Sequence, residues 1–185
     1  MKYTIPLTNY TVGRNGFKPE AFVIHIQQGT QAGTASWFQS PISQVSSHVA
    51  IAKDGSVDNF VDEKDTAYHA GRVNAPIWAG FKAGVNPNAY TIGIECEGFR
   101  GDLWTEPQMV AVCNYVKLKA GEFGIALTRR NIVSHNEITA DKENMTGWCD
   151  EIVRRLNTPL STPTPDKKAE ALALLERATN LIKSL

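Results

Sequence analysis

Apolar residues gather in five short segments of the chain: AFVIHIQ (21–27), HVAIAKD (48–54), SVDNFVD (56–62), YTIGIECE (90–97) and NIVSH (131–135). Each has strand length, carries β-branched residues and is bounded by polar or glycine-containing stretches, so each is predicted as a strand. Asp54-Gly55 between the second and third supplies a tight turn, because this pair tolerates positive φ. A helical period takes over in TEPQMVAVCNYVKLKAGEFG, where Met109, Val112, Cys113, Val116 and Ala120 share one face. Thr105 is placed to cap that helix and Gln108 to complete a capping box. Pro107 sits in the first turn, where its missing N–H costs little. Residues 149–156 predict a second, shorter helix. Strands mixed with helices and a central hairpin predict an α/β fold: one domain, with a mixed central β-sheet flanked by helices.

The tail has a different character. The body is predicted over residues 1–158 and a Pro/Thr linker over 159–168, stiff and polar. Over 169–185, Ala171, Leu174, Leu175, Ala178, Ile182 and Leu185 recur at helical spacing. That pattern predicts a C-terminal amphipathic helix, suited to docking on the body or to self-association.

Composition narrows the partners. The 185 residues include 19 basic and 19 acidic side chains, and no basic patch or arginine-rich arm interrupts the balance, so a nucleic-acid partner is not expected. No stretch approaches the roughly 18 apolar residues of a membrane span. The first twenty residues hold no apolar run of signal-peptide length, so synthesis in the cytoplasm is expected. Cys96, Cys113 and Cys149 form no closely spaced pair and suggest no disulfide framework.

Strand alternation then separates chemistry from core. In AFVIHIQ, Phe22, Ile24 and Ile26 point one way, and Val23, His25 and Gln27 the other. In TIGIECE, Ile92, Ile94 and Cys96 share a face, and Gly93, Glu95 and Glu97 the opposite one. A carboxylate within a central strand is costly unless it is paired or lies at a cleft, although a solvated edge strand would also accommodate Glu95. NIVSH ends on His135. Two histidines and a glutamate would therefore converge if these three strands are neighbours, which spacing alone does not decide.

The ordered segments FVIHIQQGT, SWFQSP, SSHVAIAKDGSV, AYHAG, NAYTIGIECEGF and IVSHNEI resemble the zinc-dependent N-acetylmuramoyl-L-alanine amidases, a family that includes amidase-type phage lysins and animal peptidoglycan recognition proteins. The resemblance covers about residues 17–156. It implies a zinc ion in a groove on one sheet face and cleavage of the amide between N-acetylmuramic acid and L-alanine in bacterial peptidoglycan. An endolysin or autolysin is expected, made in the cytoplasm and acting on the wall after release. His25 matches the first zinc ligand, His135 the second, Glu95 the general base, and His69 a histidine beside the metal that contacts substrate. These types suit the chemistry: neutral imidazoles plus one anionic ligand hold zinc and leave a position open for water. A nearby carboxylate then moves the proton.

The third ligand departs from the family pattern, a Cys or Asp shortly after the second histidine and often followed by Pro-Gly. Aligning NMTG with that motif puts Met145 at the ligand position, and a thioether is a poor zinc ligand. Cys149 is the expected replacement, with Asp141 as the alternative on a shorter loop; Cys149 also reads as a small buried residue opening the last helix, which would leave no third ligand. Lys142 is the nearest cation able to face a developing oxyanion, with a solvated loop lysine as the alternative reading. Trp78, in the loop 71–89, is a candidate wall of the substrate groove, with cover for the sheet as the alternative. Ser47 stands where some lysins carry a tyrosine. Two further functions stay open: a protein of this fold that binds peptidoglycan without cutting it, and a structural subunit assembled through the C-terminal helix.

Overall fold

In this computed structural model, residues 1–158 are described, together with positions 172, 175–177 and 182, which are helical. The predicted linker and the other positions of the predicted C-terminal helix lie outside the described residues. The strands are β1 (Tyr10–Thr11), β2 (Ala21–Ile26), β3 (Val49–Ile51), β4 (Val57–Asn59), β5 (Thr66–Ala67), β6 (Thr91–Cys96) and β7 (Ile132–Ser134). Five of them form the central sheet in the order β4-β3-β6-β2-β7, and β1 pairs with β5 in a small antiparallel ribbon. β3, β6, β2 and β7 run parallel, while β4 returns antiparallel to β3. The sheet is mixed, as the sequence predicts.

The predicted faces also hold. Phe22, Ile24, Ile51, Ile92, Ile94, Cys96 and Ile132 are fully buried in one core. There they pack beneath helices α2 (Glu106–Phe123) and α3 (Thr146–Asn157), which contribute Met109, Val112, Val116, Cys149 and Ile152. Burying each of the Phe, Ile, Val and Met side chains among them contributes roughly 1.5–3 kcal/mol. Thr105 caps α2 by accepting from the Gln108 amide, and Gly124, at φ 68°, ends it in the left-handed conformation. The Gln108 side chain departs from the capping-box expectation. It turns inward, its Nε2 donating to the carbonyls of Ile51 and Glu97, and so ties the helix to the ends of β3 and β6.

One helix escaped the hydrophobic pattern. α1 (Gln31–Gln39) buries only Ala35 and Phe38, too few apolar positions to announce a period. Its start is set locally, since Thr30 accepts from the Gly33 amide. Ala35 and Phe38 pack with Ala50 and Phe60 on the sheet face opposite α2 and α3. On that same face Ala21, Val23 and Val133 are covered by Ala70, Trp78, Tyr90 and Ile138. Between these two covers the face stays open, at the carboxyl ends of the parallel strands, where crevices of α/β sheets form.

Candidate active site

The open region is a cleft of about 840 Å³, lined by His25, His69, Glu95, His135, Asp141 and Lys142, among others. Strand register brings the first groups together. His25 on β2 lies directly beside Glu95 on β6, both on the open face. β7 pairs with the other side of β2 and ends at Ser134, so its successor His135 reaches the same place. His135 opens a single turn of 3-10 helix in which Ser134 and Glu137 cap each other, Glu137 accepting from the Ser134 amide at 2.7 Å. The rings of His25 and His135 are 4.2 Å apart between centroids, and Glu95 Oε1 lies 3.9 Å from His25 Nδ1.

Burial makes these imidazoles neutral. It pushes His25 well below the ordinary histidine value, with the His135 and His69 rings adding to the effect. Burial likewise lowers His69 to about 3 and His135 to about 4. Glu95 moves the other way, raised to about 7 by burial and partly held down by Lys142. Such opposed shifts within one cleft make it the candidate functional site.

His25 uses its Nε2 against His69 Nδ1 at 3.1 Å, and His135 its Nε2 against the Ala70 carbonyl at 3.0 Å. The Nδ1 atoms of both ligand candidates therefore have no hydrogen-bond partner among the described residues. Two neutral imidazoles with a free nitrogen each, the other nitrogen already hydrogen-bonded, fit zinc in kind. They supply two ligands. Among the described residues no group of three His, Cys, Asp or Glu side chains is gathered as a metal would need.

Cys149 does not reach the cleft, which corrects the expectation placed on it. Its side chain is 0% exposed in the core with Trp104, Met145 and Ile152, on the far face of the sheet. Burial pushes its thiol well above the ordinary value, so it is held neutral rather than as the thiolate that binds metal. Met145 is buried there too, its amide donating to Ser134 Oγ. Asp141 and Lys142 instead line the cleft from the loop after β7, and both are exposed. The Lys142 ammonium has no hydrogen-bond or ion-pair partner among the described residues.

Trp78 is also corrected. It is buried, stacks on Tyr90 with ring centroids 5.7 Å apart, and donates its indole N–H to the Arg130 carbonyl at 2.7 Å. It covers the sheet, and the indole that lines the cleft is Trp37 of α1, 54% exposed. Phe38, Val45 and Tyr68 extend the same wall, and Arg100, paired with Glu143 at 2.5 Å, lies on the side of the Asp141–Lys142 loop. Sequence reasoning missed Trp37 as a site residue. Only the placement of α1 against β3 brings it to the cleft. Ser47, in the position of the absent tyrosine, is buried and donates to the Val49 carbonyl.

The chain is similar to known amidases in both sequence and fold. Residues 15–150 match the family model described as N-acetylmuramoyl-L-alanine amidase. N-acetylmuramoyl-L-alanine amidase A of Achromobacter lyticus is 33% identical over 121 residues, 64% of this chain and 59% of the relative, so the chain spans about three-fifths of that protein. Among solved structures, a selenomethionine derivative of AmpD superposes with a TM-score of 0.68 at 20% identity, covering 85% of this chain and 93% of that one. The catalytic domain of XlyA gives 0.64 at 18% identity, with 85% and 98% covered. At those identities the superpositions speak to the fold. With the family model spanning most of the body, this chain belongs to the N-acetylmuramoyl-L-alanine amidase family.

Proposed function

We propose that this chain hydrolyses the amide joining the lactyl group of N-acetylmuramic acid to L-alanine in bacterial peptidoglycan, with zinc as its cofactor. One observation carries the proposal: β7, β2 and β6 lie side by side and deliver His135, His25 and Glu95 to one cleft. Zinc, when bound, would polarise the amide carbonyl and acidify a water near neutral pH. His25 and His135 would hold it through Nδ1, and the exposed Asp141 is the third ligand proposed in place of Cys149. Glu95 takes the proton of the attacking water and returns it to the alanine nitrogen as the C–N bond breaks. The ammonium of Lys142, without a partner among the described residues, faces the oxygen on which negative charge develops. The aromatic wall of Trp37 and Tyr68 offers apolar surface to the glycan.

Digestion of purified peptidoglycan tests the activity. Peptides with a free L-alanine amino terminus should accumulate, read by mass spectrometry, with no new reducing sugar ends. New reducing ends would indicate a glycosidase instead. Among the described residues no third donor is gathered with the two histidines, which favours a second reading, a binder that does not cut. Co-sedimentation with insoluble wall and no released peptide would support that reading.

Zinc content separates the third-ligand candidates. Cys149→Ala is expected to retain the zinc of the parent and to lose roughly 1–3 kcal/mol of stability, because it only vacates core volume. Asp141→Ala is expected to lose most of its zinc with an unchanged unfolding midpoint in the metal-free form. Elemental analysis and urea unfolding of both variants check this. Zinc lost from the cysteine variant and kept in the aspartate variant would reverse the assignment.

A further inference from the structure

We propose that His69 is a positioning residue: the segment His69–Ala70 sets the tautomer of both ligand histidines so that each turns a bare Nδ1 to the cleft. The inference starts at Thr91. Its hydroxyl has one proton, and that proton goes to the Pro87 carbonyl at 2.7 Å. Toward His69 Nε2, 3.1 Å away, the same oxygen can only accept. His69 therefore carries its proton on Nε2, and its Nδ1 is an acceptor. The atom facing that acceptor is His25 Nε2, at 3.1 Å, which must be the donor. In a neutral ring this leaves His25 Nδ1 unprotonated.

The next residue does the same for the other ring. The Ala70 carbonyl accepts from His135 Nε2 at 3.0 Å, which leaves His135 Nδ1 bare as well. Both residues of the segment are pinned from behind by one side chain. The buried Asn88 Oδ1 accepts from the His69 amide at 3.1 Å and from the Ala70 amide at 2.8 Å. Sterics hold the His69 ring from a third side. It packs against Gly93 on β6, where an added Cβ would lie 2.5 Å from His69 Cγ. Both His69 nitrogens are thus engaged, which leaves neither for the substrate contact that the family resemblance implies. A carbonyl or imidazole behind a ligand histidine fixes its orientation, and losing such a partner typically lowers metal affinity 10–100-fold.

The inference rests on the zinc reading for its purpose, but its test does not. In metal-free protein labelled with ¹⁵N in its histidines, long-range ¹H–¹⁵N spectra above pH 7 should show His25, His69 and His135 as Nε2–H tautomers. In His69→Ala, His25 should become a mixture of tautomers while His135 stays unchanged. In His69→Gln, whose amide oxygen can accept the same proton, His25 should recover the Nε2–H form. Zinc affinity, measured by chelator competition, should fall 10–100-fold in the alanine variant and partly return in the glutamine variant. Should His69→Ala fail to fold, Thr91→Val decides, since it keeps the shape and should free the tautomers of His69 and His25 together. An Nδ1–H tautomer of His25 in the parent would overturn the proposal. So would an unchanged His25 tautomer in the folded alanine or valine variants. A parent with the expected tautomers but no affinity for zinc would refute the metal reading and leave the positioning chain standing.

Discussion

Glu95→Gln is expected to lower turnover on peptidoglycan by about 10²–10⁴-fold, the range that a positioned general base supplies. The substitution is nearly isosteric and replaces a group held on β6 between Ala50 of β3 and His25 of β2. The fold and the zinc content should therefore survive, which separates proton transfer from metal binding. An amide oxygen accepts a hydrogen bond from water but cannot take its proton. Burial raises Glu95 to about 7, which strengthens it as a base once ionised. The Lys142 ammonium favours that ionised form. Steady-state release of alanine-terminated peptides, measured beside elemental analysis of zinc, checks the result. A variant with zinc bound and near-parent turnover would remove Glu95 from the mechanism.

The metal-free protein is expected to lose a few kcal/mol of stability as pH falls from about 6.5 towards 4. The sign follows from the buried histidines. An unfolded histidine takes up a proton near 6.5, whereas burial holds folded His135 at about 4 and folded His69 at about 3. His25, and His48 between Arg14 and the Gly93 amide, are lowered in the same direction. Their contribution is full above 6.5 and is lost below it, because only the unfolded chain binds those protons. Glu95 opposes this. Its folded carboxyl takes up a proton near 7 and the unfolded one near 4.5, so its burial penalty is relieved as pH falls through that window. Several imidazoles outweigh one carboxyl, and the net slope is acid-destabilising. Urea unfolding with a chelator present, at pH 7.5, 6, 5 and 4, measures it. A midpoint that held constant, or rose, over that range would contradict the assigned neutral imidazoles. At pH 7.5, added zinc should raise the midpoint by mass action on the folded form.

The helix α1 and the residues Trp37, Thr91 and Asn88 show where sequence reasoning stops. α1 buries two side chains, so its existence depends on the Thr30 cap and on docking against β3 rather than on a hydrophobic stripe. Trp37 carries no local sign of function because its exposure becomes meaningful only beside a cleft built by other segments. Asn88 and Thr91 act on His69–Ala70 across about twenty residues of chain, through single hydrogen bonds that no periodicity encodes. Cys149 erred for a related reason. Sequence distance from His135 allowed either face of the sheet, and the helical register of α3 turned it into the core.

By itself the sequence determined the five central strands, the α2 and α3 segments, and which strand residues face the core. It also determined that His25 and Glu95 lie on the less apolar faces of their strands. These follow from local physics, because a strand repeats every two residues and a helix every 3.6, and burial writes that period into the residue types. Only the tertiary structure decided that β7, β2 and β6 are neighbours, that Cys149 and Trp78 are core, and that Asp141, Lys142 and Trp37 reach the cleft. Strand order and loop path are set by packing between segments far apart in the chain, and a single segment carries no record of its partner.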